Sequence, residues 1–417
     1  MVASPILRLA LSLLLASVIV GLAGAYVHRR AAQLARLGLR GRRALSAAIT
    51  LGILLFVGSR LLERWVPAGA LEPLGVAGAL VAVAVFVAAI LLAVIDLLVL
   101  TTTRAGAAVR RLIPPLASGS IPIEVADDPL PPPPVTRRGF LTQAATGSAL
   151  AVGAGSSVYG TLFGRHDYVI EDLVVRVPGL DRRLDGYTLV QLSDIHLGLF
   201  VGEREMRAAE DLVRRARPDL VVLTGDLIDH DPSHQDDLGR LVRRLSALAR
   251  GGVVAVPGNH DYYTGIGGVL STLERAGAVV LRNEGRVIEG AAGGFALLGV
   301  DDQAAGRFEG GRGGPDLEAA LAALPAAADL PRVLLCHNPA YFPSAAGKVA
   351  LQLSGHTHGG QVNLGVRPAD LVLGHPYVAG PYERAGTRLY VNRGFGTAGP
   401  PTRVGAAPEV TRIVLTG

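Results

Sequence analysis

Apolar and polar positions divide the chain into a first part of long apolar runs and a second part of short alternating segments. Before residue 165, three apolar runs occupy about Leu9–Val27, Ala44–Gly58 and Leu74–Ile95. A helix of about 20 apolar residues spans a bilayer, and these runs lack the polar face of a helix in a soluble bundle. The pattern therefore predicts transmembrane helices at about 5–27, 44–66 and 74–100, within residues 1–111. The second run is short and spans only if it continues to Trp65.

A fourth, weaker apolar run follows a proline-rich stretch. Residues 112–135 contain Pro114-Pro115 and Pro131–Pro134, which predict an extended linker because proline cannot continue a helix. Thr136–Leu141 resembles the twin-arginine export signature, and a mild Gly-, Ala- and Ser-rich run follows it. Since no convincing cleavage site comes after this run, we predict an uncleaved fourth membrane helix within 136–164. The alternative is an ordinary arginine pair beside a membrane helix.

The distribution of charge predicts the orientation of these helices. Arginines are concentrated in residues 28–43 and 104–138, whereas residues 59–73 carry two arginines and two glutamates. The positive-inside rule places the first two regions in the cytoplasm, so the chain after residue 164 is predicted to be extracytoplasmic. The net charge of +5 therefore reflects topology in a multi-pass protein of the cell membrane, with the lipid bilayer as a partner. It does not indicate a nucleic-acid-binding surface, and no signal indicates an oligomeric state.

Residues 165–417 show alternating strand and helix patterns. Strands are predicted at 187–192, 219–223, 253–256, 296–299, 332–335, 350–353, 387–391 and 410–415, and helices at 206–216 and 238–249. Strand–helix alternation with short loops predicts an α/β fold with a parallel sheet covered by helices. The last third has fewer helices, which predicts a second, mixed sheet. The single cysteine, Cys336, excludes a disulfide within the chain and is interpreted as a packed strand residue.

Polar clusters follow five of the predicted strands. They are SDIH at 193–196, GDLID at 225–229, GNHD at 258–261, CHNP at 336–339 and SGHTHGG at 354–360. Side chains beyond the carboxyl ends of parallel strands meet in a crevice where such folds bind ligands. Asp194 and His196 are two residues apart, so in extended chain both would point to the same side. Carboxylates and imidazoles together are ligands of divalent transition metals. Any one cluster could be a helix cap, but five in this order indicate a site.

As a set, these motifs resemble the calcineurin-like metallophosphoesterase superfamily over about residues 167–417. With the membrane segments and the arginine pair, the chain resembles the membrane-anchored bacterial branch. The resemblance implies a two-sheet α/β/β/α sandwich of the metallophosphoesterase type, preceded by an all-α transmembrane region. It also implies two divalent metal ions, for which Mn, Fe, Zn and Co are all compatible with Asp, Asn and His ligands.

The resemblance also assigns roles to individual residues. One ion would be held by Asp194, His196 and His358, the other by Asn259, His337 and His356, and Asp226 would bridge both through its two oxygens. His260 would be the general acid or a donor to phosphate, oriented by Asp229, although Asp229 could equally be a cap or loop residue. Tyr262, Tyr263 and Arg393 are rim candidates for substrate binding, with packing of the tyrosines and an ordinary surface arginine as the alternatives. His230, His234 and His375 are interpreted as solvated surface or rim residues.

The function implied is a membrane-anchored phosphoesterase that hydrolyses phosphate esters, above all phosphodiesters, with a metal-activated hydroxide. Two alternatives remain open. One is a lipid-directed phospholipid or nucleotide-lipid pyrophosphate hydrolase, because the membrane anchor keeps the site near the bilayer. The other is a non-catalytic sensor or accessory protein whose metal site is structural. The complete ligand set and His260 argue against the second alternative.

Overall fold

The computed structural model describes residues 5–112, 136–290, 293–310, 313–324 and 330–417. The chain forms two compact units. One unit comprises Leu15–Leu54 and Leu80–Ser157, and the other comprises Leu55–Ala79 and Val158–Gly417 together with Met1–Leu14. The predicted linker lies, apart from its first residue, outside the described residues. We refer to the two units as the helical unit and the catalytic unit.

Four helices account for the apolar first part of the chain: α1 (Pro5–Leu34), α2 (Leu39–Leu62), α3 (Ala68–Leu112) and α4 (Arg137–Leu162). In the described part of the chain, three segments are long and apolar enough to cross a membrane: Leu13–Leu34, Leu39–Leu62 and Ala68–Arg104. The short second run therefore belongs to a helix of spanning length, as predicted. The fourth helix is present, but its composition is less apolar than that of the other three, so its crossing stays a prediction.

Side chains of all four helices form the core of the helical unit. Val27, Ile49, Leu92 and Ala149 are buried against one another there, one from each helix. Small residues let the helices approach closely: a Cβ on Gly153 would lie 2.7 Å from the carbonyl oxygen of Ala84. Close backbone approach at small residues is typical of helix packing in membranes.

The catalytic unit is built on two six-stranded sheets. The strands are β1 (Val169–Arg176), β2 (Thr188–Leu192), β3 (Leu220–Thr224), β4 (Val253–Val256), β5 (Val279–Val280), β6 (Glu284–Gly290), β7 (Gly293–Gly299), β8 (Arg332–Leu335), β9 (Leu351–Ser354), β10 (Gly380–Arg384), β11 (Thr387–Val391) and β12 (Glu409–Thr416). The first sheet has the order β1-β12-β2-β3-β4-β5 and the second β10-β11-β9-β8-β7-β6. Both are mixed, since β12 runs antiparallel to β2, β6 to β7 and β10 to β11.

Eight further helices belong to the catalytic unit. The eight are α5 (Glu203–Ala216), α6 (Gln235–Ser246), α7 (Asn259–Thr264), α8 (Ile266–Arg275), α9 (Ala305–Phe308), α10 (Leu317–Ala322), α11 (Phe342–Ala345) and α12 (Ala369–Val372). Five of them, α5, α6, α8, α10 and α11, pack on the outer faces of the sheets. One core lies between the sheets, where Leu189 and Val222 of the first meet Leu297 and Leu351 of the second. A second core joins the first sheet to α5, α6 and α8, and a third joins the other sheet to α10 and α11. This arrangement confirms the predicted α/β/β/α sandwich.

The strand pattern was predictable in the interior of the sheets and less so at their edges. The predicted limits of β4, β8 and β11 agree with the structure, and β2, β3 and β4 are parallel as expected. The sequence did not predict β1, which is half-buried along most of its length. It predicted a strand at 410–415, which is β12, but not its antiparallel place between β1 and β2. An edge strand such as β1 carries a weaker apolar signal because only one face is covered.

The connection between α2 and α3 packs within the catalytic unit. Leu71 is buried against Leu199 and Phe200, which lie in the loop after β2. The Phe56 ring stacks on that of Phe200 at a centroid distance of 6.4 Å. Glu72 accepts a hydrogen bond of 3.1 Å from Arg165. A segment predicted only as a short loop between two membrane helices therefore packs against the loop after β2 and belongs to the catalytic unit.

Candidate metal centre

The loops after β2 and β3 bring the first predicted ligands together through backbone hydrogen bonds. The amides of Asp194 and His196 donate to the carbonyls of Gly225 and Asp226, each at 3.0 Å. Both residues have left-handed backbone, with φ of 51° and 52°, so the expectation of an extended chain was wrong. Asp226, His356 and His358 also have positive φ. Left-handed backbone is costly for residues with a Cβ, and it concentrates at functional sites where the surroundings enforce it.

One cluster contains Asp194, His196 and His358. All three are buried, and their ligand atoms lie within 4.8 Å of one another. The two histidine Nε2 atoms are 3.0 Å apart, and the Nε2 of His358 is 3.5 Å from an Asp194 carboxylate oxygen. Asp194 also accepts hydrogen bonds from the Ser193 hydroxyl at 2.6 Å and from the His356 amide at 2.9 Å.

The second cluster contains Asp226, His337 and His356, with Asn259 beside it. The Nε2 of His337 lies 3.3 Å from Asp226 Oδ2, 3.3 Å from Asn259 Oδ1 and 3.2 Å from the Nδ1 of His356. The Nδ1 of His337 lies 2.8 Å from the carbonyl oxygen of Thr224. A carbonyl only accepts, so Nδ1 carries a proton, and Nε2 is the nitrogen that faces the cluster and would bind a metal once deprotonated.

Asp226 lies between the two clusters. Its Oδ2 is 3.6 Å from the Nε2 of His196 and 3.3 Å from that of His337. Its Oδ1 accepts the backbone N–H of His260 at 2.8 Å. A single oxygen thus faces both clusters, whereas the sequence interpretation used both oxygens. A Cβ at Gly258 would lie 2.3 Å from that Oδ1, so glycine is required for this close approach.

The donor set fits divalent cations. Burial, and next the positive charge of His337, lowers the pKa of His356 to about 3. Burial also holds the pKa of His358 well below its usual range. Neutral imidazole is the form that binds metals. Burial opposes a charge on His337 as well, but nearby Asp226 raises the pKa of that histidine well above its usual range. A bound cation would replace the proton on His337 as the positive charge that the Asp226 carboxylate attracts.

His260 and Asp229 form a pair beside the clusters. The Nδ1 of His260 lies 2.8 Å from the carbonyl oxygen of Asp229 and 3.3 Å from its Oδ1. Burial lowers the pKa of His260, but Asp226 and Asp229 raise it more strongly, to about 9. The proton on Nδ1 is held by Asp229, so Nε2 is the nitrogen of His260 left to meet a substrate. These contacts are to an imidazole and not to the backbone amides of a helix's first turn, so they do not support the alternative in which Asp229 caps a helix.

Two of the rim residues predicted from sequence have other surroundings. Tyr262 is 2% exposed, and its hydroxyl donates to Asp301 at 2.5 Å, so it packs in the interior. Tyr263 lies beside the site instead, with its ring centroid 5.1 Å from that of His260. The guanidinium of Arg393 pairs with Glu171 and, at 2.5 Å, with the buried Glu409. These contacts favour a structural role for Arg393 over substrate binding.

Two histidines interpreted as solvated are tied to the catalytic unit by carboxylates. The Nε2 of His230 lies 3.2 Å from Asp229 Oδ1, and its ring centroid is 4.9 Å from that of His260. His234 lies between Glu63 and Asp237, at 3.5 Å and 3.0 Å. Neither is a freely solvated surface residue, and His230 lies beside the candidate site, as the rim alternative expected. His375 packs its ring on Tyr377.

Two supporting residues were missed by the sequence interpretation. Asp261 is fully buried and accepts N–H bonds from Gly258 at 2.8 Å, from Asp226 at 3.0 Å and from Leu227 at 2.9 Å. It thereby joins the loops after β3 and β4. Its place three residues after Gly258, in the first turn of α7, was the available signal. Arg403 is 1% exposed and donates to the His358 Nδ1 at 3.2 Å. No local motif marks Arg403.

Together, the two-sheet fold and the convergent carboxylates and imidazoles define a metallophosphoesterase. A model of the calcineurin-like phosphoesterase family matches residues 187–360. An uncharacterised metallophosphoesterase of Bacillus subtilis, YkuE, is 32% identical over 292 residues, which cover 67% of this chain and 98% of that protein. The chain belongs to the calcineurin-like phosphoesterase family.

A further relative and a solved structure are also similar to this chain. A Danio rerio relative named transmembrane protein with metallophosphoesterase domain is 33% identical over 281 residues, which are 64% of this chain. The match spans 62% of the length of that relative. Among solved structures, a dimetal phosphatase from Danio rerio matches with a TM-score of 0.33 and 14% identity, over 51% of this chain and 88% of that one. That structural likeness carries no part of the argument.

Proposed function

We propose that this protein is a membrane-anchored phosphoesterase that uses two divalent metal ions to hydrolyse phosphate esters, above all phosphodiesters. The observation that carries the proposal is the position of Asp226 Oδ2 between two buried ligand clusters. Asp194, His196 and His358 would hold one ion, and Asn259, His337 and His356 the other. Two cations bound there would bind the phosphate group and generate a hydroxide nucleophile near neutral pH.

The remaining polar groups have roles that follow from their geometry. His260 would donate from Nε2 to the leaving oxygen or to a phosphate oxygen, since its Nδ1 is held by Asp229. Tyr263, beside the His260 ring, is a candidate for contact with the substrate. Arg393 has no role in substrate binding in this proposal, because its guanidinium forms ion pairs with Glu171 and Glu409.

A panel of substrates tests the hydrolase. We expect the full chain in detergent, stripped with a chelator and reloaded with Mn, Fe, Zn or Co, to bind two ions per chain. We also expect it to hydrolyse a bis-aryl phosphodiester faster than an aryl phosphomonoester. Metal content by mass spectrometry and release of the aryl alcohol are the measurements. Metal binding without hydrolysis of any ester would favour the alternative of a metal-binding sensor.

A lipid-directed substrate is the second candidate, favoured by an apolar loop next to the site. After His358, the chain exposes Val366, Leu371 and Val372 by 72%, 88% and 80%. This loop starts beside the last turn of α4: Val362 bridges to Val404, and the adjacent Arg403 donates its amide to Gly160 at 3.0 Å. An exposed apolar patch next to a membrane helix fits contact with lipid. Faster hydrolysis of a diphosphate-linked lipid than of the soluble diester would support this candidate.

The contacts of the α2–α3 connection support an extracytoplasmic catalytic unit. Residues 59–73 are the arginine-poor loop, which the positive-inside rule places outside. This loop and the sandwich lie in one unit, so they occupy one side of the membrane. Along the chain, α3 and α4 lie between this loop and the sandwich. If α3 crosses the membrane, α4 must cross back for the loop and the sandwich to be on the same side. This requirement supports a crossing by α4 despite its mild composition.

Cysteine labelling tests the topology. Cys336 is buried, so a Cys336→Ser background permits single cysteines to be introduced elsewhere. In spheroplasts, a membrane-impermeant maleimide should label Trp65→Cys, which is 68% exposed in the α2–α3 connection, and Arg250→Cys in the catalytic unit. Gly38→Cys, between α1 and α2, should react only after lysis. Labelling of Trp65→Cys and Arg250→Cys from opposite sides would contradict the proposed topology.

A further inference from the structure

A buried ion pair connects the last turn of α2 to the candidate active site. The Nη2 of Arg60 lies 2.5 Å from Asp229 Oδ2. Arg60 is 3% exposed and Asp229 4% exposed. The same guanidinium lies 5.7 Å from the centre of the Phe200 ring, in the loop after β2. A charge pair buried to this extent is weakly screened by solvent, and removing one partner leaves the other charge buried without compensation.

The two oxygens of Asp229 have separate partners. Oδ2 faces Arg60, whereas Oδ1 faces the imidazole nitrogens of His196 at 3.4 Å, His230 at 3.2 Å and His260 at 3.3 Å. With Oδ2 held, rotation of the carboxylate about its Cβ–Cγ bond is restricted. The orientation of Oδ1 therefore depends on a residue outside the sandwich. Oδ1 supplies the second contact of the His260 Nδ1, at 3.3 Å, beside the 2.8 Å contact to the Asp229 carbonyl.

Neighbouring contacts hold the end of α2 in place. Glu63 lies 3.5 Å from the Nε2 of His234 and 3.9 Å from the Nη1 of Arg60. Arg64 lies 3.9 Å from Asp231, with 38% of its side chain exposed. The loop carrying Asp229 and the end of α2 are thus joined at several points, of which Arg60 alone reaches the catalytic pair.

We propose that Arg60 is a positioning residue, contributed by a membrane helix, that orients Asp229 and through it His260. The inference rests on the proposed function, in which His260 donates to the leaving group. It means that the catalytic unit depends on α2 for a competent active site, and that the sandwich without its membrane part lacks one member of the site.

Kinetics of the full chain in detergent or nanodiscs test the role of Arg60. We expect Arg60→Ala to lower kcat by about tenfold, as for other partners that orient active-site ligands, with KM and metal content unchanged. The loss should be larger for a diester with a poor leaving group, because such an ester needs the proton from His260. In a His260→Ala background, Arg60→Ala should have no further effect on kcat. Arg60→Lys should restore part of the rate.

Arg64→Ala is the matched control, since it removes an arginine of the same connection that does not touch Asp229, and its kcat should equal that of the wild type. Effects of Arg60→Ala and His260→Ala that multiply, or a loss independent of the leaving group, would overturn the inference while leaving the hydrolase proposal intact.

Thermal unfolding gives a readout that does not depend on turnover. Arg60→Ala and Asp229→Ala should each lower the unfolding temperature, and the double variant should fall by less than the sum of the two shifts. Additive shifts would mean that the pair is not formed, and the inference would fail even if the chain is a hydrolase. Non-additive shifts in a wild-type chain that hydrolyses no ester would instead refute the proposed function and, with it, the catalytic role of Arg60.

Discussion

Replacing Asp226 with asparagine is expected to abolish hydrolysis of an aryl phosphodiester, lowering kcat by at least roughly 10³-fold, the scale of losing one strong electrostatic contact to a transition state. Asparagine keeps the shape of the side chain and can still accept the His260 amide at Oδ1. It loses the negative charge at the atom that lies 3.6 Å and 3.3 Å from the two histidines. The bridging position would then carry an amide that binds two cations poorly.

The same variant should still fold, so a loss of hydrolysis can be assigned to the metal site and not to a loss of the fold. Without metal, the variant loses the attraction of the Asp226 carboxylate to His337 and His260, so its unfolding temperature should fall modestly. With metal, the wild type should gain stability by ligand binding, and Asp226→Asn should gain much less. Asp172→Asn is the matched control, because Asp172 pairs with Arg412 at the surface of β1. Retained turnover by Asp226→Asn would refute the dimetal proposal.

Replacing His260 with alanine is expected to lower kcat by about 10²–10⁴-fold, the usual contribution of a positioned general acid. Metal content should stay at the wild-type level, since the Nδ1 of His260 bonds to the Asp229 carbonyl and the ring lies beside the ligands rather than among them. The loss should shrink for esters whose leaving group needs no proton. Turnover with a series of aryl diesters of graded leaving-group acidity is the measurement.

A metal ligand gives the contrasting control. His358→Ala should lose metal and activity together, because His358 belongs to the cluster with Asp194 and His196. Loss of metal from His260→Ala would show that His260 is a ligand. The structure is compatible with such a role, since His196, Asp229 and His260 also offer ligand atoms within 4.8 Å of one another.

The prediction of the fold succeeded where burial imposes a strong pattern. Strands buried on both faces, such as β3 and β4, appear as continuous apolar runs, and their limits could be predicted closely. The helices of the apolar first part were predicted from their long uncharged runs, although few of those residues are buried within the protein. Strand β1 alternates between half-buried and exposed positions, and its order next to β12 depends on contacts far apart in the chain, so neither could be predicted from local pattern.

The sequence predicted which residues lie at the candidate site, but not which of their atoms contact one another. The motifs placed Asp194, Asp226 and His358 at strand ends, and the structure brings them together. The reason for their convergence is left-handed backbone, which the motif letters do not express. Tyr262 was assigned to the rim because it follows Asp261, and Arg393 because it follows a late strand. In the structure, Arg393 pairs with the carboxylate of Glu409, and the Tyr262 hydroxyl donates to that of Asp301.

Local pattern in the chain was enough to predict apolar helices of spanning length, an α/β sandwich, and an ordered series of Asp, Asn and His residues at strand ends. Periodicity and motif order depend on neighbours within a few residues, so one chain suffices to recognise them. Long-range packing, which local pattern does not encode, makes Asp226 Oδ2 face both clusters, lets Asp261 join two loops, and brings Arg60 of α2 to Asp229. Arg60 and Asp229 are 169 residues apart in the chain, and only packing of the whole catalytic unit brings such groups into contact.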